Sequence, residues 1–518
     1  MSSLAQGKQA ELHARLRLSA QRLTQSPAPH SQTFEGATST KPGWLLLFFD
    51  LCLLAGILLM TLYISWVYDH LPAGDPAEYH NYAVDFWLNT PRFVSFPKEY
   101  PPLSLIPFSF TLFPPAGSHY YWVFAGWMAL IVAASYIWLA RSVSRNKAII
   151  YALYLVVGAT GTLLMRFDLL PALVTLAALM LAERKRFLWA YVLLAVGVLL
   201  KIYPVFLVPV LMAAQWREVV PTPTSKTSAS ILPWMQRLRL AVAQIWSALT
   251  MRRGHPRWEE TQTLRSQLKP LLVGLGTFSG LIVLGMSIPA IFNLEGTFSV
   301  LGYNLFRPIQ IESVPATLLW LGSFLGFPVS PNHSYVSLNL VGPLDVVLKP
   351  LSLLGLVVGT LIVCRRVLQG QLSLGQAFVA SIALVLVTNK LLSPQYLMWV
   401  LPLVAYVEGF DMLWLVICAL TTLIFPFIYQ TRHPILSVPA NPAFLPTIAI
   451  RNLLLLIATW RALRQHTEQP TLAPAATAKE ISALKLARAG SLAELTPVPL
   501  EASDSSHEQT DHLVPFKR

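Results

Sequence analysis

Two lysines stand inside stretches apolar enough to live in a bilayer. Lys201 interrupts "VGVLLKIYPVFLVPVLM" (196–212), and Lys390 interrupts "LVLVTNKLLSPQYLMWVLPL" (384–403). An ionisable group at such a depth implies a partner, a polar cavity or an escape to the interface. Other charged and polar clusters are spaced along the same chain: "GDPAEYHNYAVDF" with Asp75, Glu78, His80 and Asp85, "KEYPP" with Glu99 and Tyr100, and "MRFDLLP" with Arg166 and Asp168. "YNLFRPIQIES" adds Arg307, Gln310 and Glu312, and "SPQY" adds Gln395. Lysine as a point charge and arginine as a planar fork neutralise phosphate. A carboxylate within reach of a hydroxyl takes its proton as that oxygen attacks. Brought together beside apolar walls, these residue types suit a lipid-linked phosphate substrate and a group-transfer reaction.

The elements that position them must lie in lipid. Of 518 residues 54% are hydrophobic and only 12% charged, a composition foreign to soluble domains. The formal charge of +13 resides in short basic clusters between apolar runs, which argues against nucleic acid as a partner. Cys52, Cys364 and Cys418 lie within apolar segments at no metal or disulfide spacing and read as packing residues.

The expected architecture is an all-α polytopic membrane protein of about twelve crossings: 43–68, 118–140, 147–165, 168–182, 187–200, 203–215, 270–293, 344–364, 372–389, 395–407, 412–429 and 443–463. Several are shorter than the roughly 20 residues of a straight span. Two more apolar pieces, "PPLSLIPFSFTLF" (101–113) and "VPATLLWLGSFLGF" (314–327), break the alternation and read as re-entrant or half-depth segments covering a cavity. Residues 1–42 read as a disordered arm, 43–463 as the membrane domain and 464–518 as a disordered tail. Within the loop 216–269, "ILPWMQRLRLAVAQIWSALTMRR" (231–253) has the pattern of an amphipathic interfacial helix.

Arg141/Arg145/Lys147, Arg184/Lys185/Arg186, the 216–269 loop, Arg365/Arg366 and Arg461/Arg464 fall on the side of the N-terminal arm. The positive-inside rule makes that side cytoplasmic, with both termini there and the polar clusters at the outer face of the cytoplasmic membrane.

Each polar residue also has a structural reading. Asp75-Pro76-Ala77-Glu78 has the form of a helix N-cap with a capping box, opening an outer interfacial helix that has Tyr79, Tyr82, Ala83, Phe86 and Trp87 on one side. Lys201 and Lys390 either snorkel to the interface or bind phosphate. Asp168 pairs with Arg166 or a lysine, or meets substrate. Glu312 is open between the same two roles. His80 is an exposed loop residue or an acceptor contact.

The run "GDPAEYHNYAVDFWLNTPRFVSFPKEYPPLSLIPF" resembles the first external loop of polyprenol-phosphate-mannose-dependent mannosyltransferases of the GT-C superfamily, glycosyltransferase family 87, related to phosphatidylinositol-mannoside mannosyltransferases. "RFDLLPALVTLAALMLAERKR", "LLKIYPVFLVPVLM", "RPIQIES" and "NKLLSPQYLMWVLP" follow in that family's order. The resemblance implies a polyprenyl-phosphate-sugar donor, a lipid or glycan acceptor, Asp75 as catalytic base, and Lys201, Lys390 and Arg307 at the donor phosphate. Glu78, His80, Glu99, Tyr100, Asp168, Gln310, Glu312 and Gln395 then support the acceptor or the site. Many relatives carry an acidic residue shortly before Glu-Tyr-Pro-Pro, where this chain reads "FVSFPKEYPP". No metal or other cofactor is called for, because lysine and arginine can neutralise a monophosphate leaving group. The rival reading is a transporter or flippase of a lipid-linked sugar, a class that places its site near the midplane between internal repeats.

The charge pattern generates a direct test of sidedness. Cysteines introduced at Asn81 and Asn304 are expected to react with an impermeant thiol reagent in intact cells, and one at Ser228 to stay protected. Labelling at position 228 alone inverts the topology.

Overall fold

The computed structural model of the chain describes residues 75–115, 117–219, 258–431 and 435–465, with scattered helical positions between 48 and 62. The expected arm 1–42, the amphipathic segment 231–253 and nearly all of the tail 464–518 lie outside the described residues. Helix α1 (Asp75–Trp87) is followed by a broken helical stretch, Pro102–Leu112, and then by α2 (Tyr120–Ser142) and α3 (Arg145–Ala159). Next come α4 (Leu169–Glu183), α5 (Phe187–Leu200), α6 (Val208–Val219), α7 (Trp258–Phe292), α8 (Leu294–Phe306) and α9 (Val314–Ser323). A hairpin of β1 (Ser330–Ser334) and β2 (Ser337–Val341) leads to α10 (Asp345–Leu368), α11 (Leu374–Thr388), α12 (Leu401–Val407), α13 (Met412–Thr422) and α14 (Phe444–Arg464).

Among the described residues, five helices are long and apolar enough to cross a membrane: Tyr120–Ser142, Leu268–Phe292, Asp345–Leu368, Met412–Thr431 and Phe444–Arg464. The protein is therefore multi-pass. Six other apolar pieces are only 10–17 residues long. At 1.5 Å per residue, a 15-residue helix such as α4 reaches about 22 Å, short of a hydrocarbon core of about 30 Å. Among the described residues the expected crossings thus resolve into a smaller set of full-length spans and a set of short helices, while most of the first, 43–68, lies outside them. The stretches 101–113 and 314–327 belong to the short set.

Helix α11 lies at the centre. Every residue from Ala377 to Val387 is buried, so the helix is apolar on all sides, as one surrounded by other helices must be. Its start is set by a capping box between Ser373 and Gln376. Packing between helices uses small residues where backbones approach: a Cβ added to Gly158 of α3 would lie 2.6 Å from the Cys418 sulfur of α13. Cys418 is buried there as the packing residue expected.

The β-hairpin departs from the all-α expectation. Its two-residue turn is Tyr335-Val336, with φ of 55° and 51°. Turns of this kind normally announce themselves with Asn-Gly or Asp-Gly, and neither is present. Polar side chains hold the turn instead, the Asn339 amide donating to the Ser334 carbonyl at 2.9 Å and the Ser337 hydroxyl to Asn339 Oδ1 at 2.9 Å.

Candidate functional site

Helices α4 and α5 run antiparallel through the short link 184–186, so the residue before α4 and the residue after α5 end up side by side. These are Asp168 and Lys201. Their side chains form an ion pair with Nζ 2.5 Å from Oδ1, and the Trp399 indole donates to the same oxygen at 2.7 Å. An anion at a helix N-terminus and a cation at a helix C-terminus are each favoured by the peptide dipoles. The rings of Tyr100, Phe167, Tyr396 and Trp399 surround the ammonium with centroids 5.0 to 5.4 Å away. Lys201 is buried, 7% exposed, so it does not snorkel, and Asp168 takes the lysine rather than Arg166 as its partner.

Arg166, two residues before Asp168, turns to a different carboxylate. It forms an ion pair with Asp75, the first residue of α1, whose Oδ2 also lies 3.4 Å from the Tyr79 hydroxyl. The ring of Tyr79 stacks on Phe108 at 4.3 Å and meets Phe167 edge-on at 5.6 Å. The segment 166–168 thereby ties α1 to the α4–α5 pair.

Glu99 accepts from the Tyr303 hydroxyl of α8 at 2.6 Å, and the same hydroxyl lies 2.8 Å from the Tyr335 carbonyl of the hairpin. One hydroxyl has one proton to give to two acceptors. Burial, the main cause, raises the Glu99 carboxyl above its ordinary value, against the pull of the Tyr303 hydrogen bond and the Arg307 charge. Glu78 acts on Glu99 through space from α1.

Lys390, just after α11, donates to the carbonyls of Leu305 at 2.7 Å and Arg307 at 2.8 Å. It thus supplies donors to carbonyls at the C-terminal end of α8, where cations are favoured. Burial, aided by Lys349 and Arg307, pushes its ammonium down to about 8. Arg307 is the C-cap of α8, its guanidinium carbon 5.6 Å from the Tyr303 ring centre. Its Nε is buried without a hydrogen-bond partner among the described residues. Arg307, Asp168, Glu99 and Arg166 all act electrostatically on the Tyr396 hydroxyl, which puts four chain segments in one neighbourhood.

Gln310 donates to the Ser393 hydroxyl at 2.6 Å and leaves its own oxygen buried and unpartnered among the described residues. Gln395 is half-buried on the 3-10 turn Pro394–Trp399 that also carries Tyr396 and Trp399. His80 lies within α1, partly buried, rather than on an exposed loop: it stacks on Tyr120 at 4.2 Å, and desolvation lowers its imidazole. Asp85 accepts from Asn89 at 2.7 Å at the exposed end of α1. Glu312 takes the structural side of its two readings, buried against Arg451 of α14 and Tyr429.

Sequence reasoning gave no role to Tyr303, Trp399 or Arg451. Tyr303 stands in the quoted "YNLFRPIQIES" and Arg451 is a lone charge in "FLPTIAIRNLLLL", the signal that had already drawn notice to Lys201. Trp399 carried no signal, since an indole in an apolar run reads as core.

Residues 99–331 match the model of Glycosyltransferase family 87. That range holds Glu99, Tyr100, Asp168, Lys201, Arg307 and Glu312, and the resemblance read from the motifs stands over it. The class is thereby a membrane glycosyltransferase. Asp75, Lys390 and Gln395 lie outside the matched range. No curated protein and no solved structure matched the chain.

The Lys201–Asp168 pair makes a stability forecast. Lys201→Met leaves a buried carboxylate with only the Trp399 indole and is expected to cost about 3 to 5 kcal/mol. Asp168→Asn is expected to cost a similar amount, and the double variant less than the sum. Thermal unfolding of the purified protein in detergent reads all three. Additive losses would mean that the two side chains act independently.

Proposed function

We propose that the protein transfers mannose or a related sugar from a polyprenyl-phosphate donor to a lipid-linked or cell-envelope glycan acceptor at the outer face of the cytoplasmic membrane. The observation that carries this reading is the gathering of Asp75, Arg166, Glu99 and Arg307 around one aromatic-walled neighbourhood, with a guanidinium nitrogen of Arg307 left unpartnered among the described residues. The resemblance to polyprenyl-phosphate-dependent enzymes supplies the donor class.

In this reading the acceptor hydroxyl oxygen attacks the anomeric carbon while Asp75 takes its proton. The bond from that carbon to the phosphate oxygen breaks, and the electron pair leaves with the phosphate. Attack in line with the departing group inverts the anomeric centre. Arg307 meets the phosphate with its planar fork, and Lys390 adds a second positive charge beside it. Arg166 holds Asp75 before substrate arrives and must yield it to the acceptor. Lys201, paired with Asp168, adds positive potential and holds the Tyr100 and Tyr396 walls. Gln310, Gln395 and Glu78 line the approach.

Purified protein incubated with radiolabelled polyprenyl-phosphate-mannose and a panel of lipid acceptors tests the activity directly. Label that stays on the polyprenyl phosphate with every acceptor overturns it, and movement of intact donor across a vesicle membrane would favour a flippase.

Asp75→Asn removes the proton acceptor while retaining the shape. Folding and donor binding are expected to survive and turnover to fall by roughly 10²- to 10⁴-fold. Near-normal turnover would move the base to another carboxylate, Glu78, Asp85 or Glu99.

The Lys390 ammonium, depressed to about 8, is charged below that pH and neutral above it. Donor KM is therefore expected to rise as pH climbs through about 8, and the rise to vanish in Lys390→Arg, whose charge persists. A donor KM that is flat between pH 7 and about 9.5 in the unaltered protein would remove Lys390 from the phosphate site.

A further inference from the structure

Between the end of α8 and the start of α9 the chain runs without helix from Arg307 to Ser313, through "RPIQIES", bridging to Asn339 of the hairpin at Gln310 and turning over 311–313. Its main chain is fixed along its length: the Leu340 amide donates to the Ile309 carbonyl at 2.9 Å, the Gln310 amide to the Lys390 carbonyl at 3.0 Å, and the Ile311 amide to the Leu338 carbonyl at 3.1 Å. Ile309 and Ile311 are fully buried against Leu338, Leu340, Ile424 and Phe444. At its far end Glu312 meets helix α14. Arg451 Nη2 donates to the Glu312 carbonyl at 2.5 Å and Nη1 lies 3.5 Å from Glu312 Oε2. The Asn452 amide donates to the same carbonyl at 3.1 Å and the Tyr429 hydroxyl to Glu312 Oε1 at 3.0 Å. Arg451 Nε in turn donates to Asn452 Oδ1 at 3.1 Å, so the two α14 side chains are held to each other.

Both Glu312 and Arg451 are 1% exposed, Arg451 in a helix otherwise suited to lipid or core and Glu312 in the turn that leads into α9. Exchanging a buried ion pair for apolar residues of similar size is often neutral or stabilising, so stability does not account for it. Apolar contacts and main-chain hydrogen bonds do not by themselves select one residue over its neighbours, whereas a charged pair closed by hydrogen bonds to one particular carbonyl has a single register. That segment begins at Arg307, whose carbonyl takes the Lys390 ammonium and whose guanidinium faces the site. We propose that Glu312 and Arg451 are positioning residues that fix the 307–313 segment against α14 and thereby set where Arg307 meets the donor phosphate. The inference rests on the donor-phosphate role of Arg307 and extends it to a pair outside the site.

The test is the paired variant Glu312→Leu with Arg451→Met in the full chain, which removes both charges and leaves neither unpartnered. Three quantities are read: the unfolding midpoint in detergent, amide hydrogen exchange over residues 307–313, and kcat and KM for a polyprenyl-phosphate-mannose donor. Exchange of the Gln310, Ile311 and Ser313 amides is expected to quicken by at least about tenfold with the midpoint little changed. Donor KM is expected to rise by about tenfold or more, with kcat changing less. Unchanged exchange overturns the anchoring, and faster exchange with an unchanged donor KM overturns the positioning. Should the paired variant fail to fold, Arg451→Lys keeps the charge but loses the second arm on the Glu312 carbonyl, and it is read the same way. Arg307→Ala in the otherwise unaltered chain judges the donor reading by itself: a normal donor KM there sinks that reading, while the exchange measurement still decides the anchor.

Discussion

A lysine cannot be left alone in an apolar interior, and the pairing of Lys201 with Asp168 is the constraint on which the rest of the arrangement depends. The two residues are 33 positions apart in sequence and meet because α4 and α5 form an antiparallel pair with their charged ends on one side. Once that contact exists, the aromatic rings around the ammonium are fixed as well. Tyr100 comes from the stretch after α1, Phe167 from the approach to α4, and Tyr396 and Trp399 from the turn after α11. One ion pair thus gathers three of the polar segments, and Arg166 brings in a fourth by holding Asp75.

The same economy governs the other charges. Glu312 and Arg451 satisfy each other beneath the surface, and Lys390 satisfies the carbonyl end of α8. Glu99 accepts from the Tyr303 hydroxyl, whose neighbour is the hairpin turn. Among the buried polar atoms left without a partner among the described residues, Arg307 Nε and Gln310 Oε1 lie on the segment that joins α8 to α9. An anion is the chemistry that would satisfy such a guanidinium nitrogen in the proposed reading.

Short helices follow from the same requirement. Polar residues at Asp168, Lys201 and Lys390 all stand at helix ends, where the chain has left the 3.6-residue repeat and can direct side chains inward. Had α4, α5 and α11 continued across a full bilayer thickness, those charges would fall in mid-helix with lipid or core on every side. Where the helices break early, backbone groups are freed, and the Lys390 ammonium donates to two such carbonyls at the end of α8.

The sequence by itself determined the class and most of the helices. Apolar runs are long, lipid admits few alternatives to helices, and the predicted 187–200 coincides with the observed α5 while 344–364 and 443–463 shift by only a few residues at their ends. It also marked the residues that matter, because an ionisable group in an apolar run is conspicuous wherever it stands. Tertiary structure alone decided which charge meets which: Lys201 with Asp168, Arg166 with Asp75, and Glu312 with an Arg451 that lies 139 residues away. Pairing is a property of distance in space, and nothing in local propensity encodes it. The hairpin was hidden for a related reason, since its Tyr335-Val336 turn lacks the residues that favour a positive φ and is held by contacts from Asn339 and Tyr303 that exist only once the chain has folded.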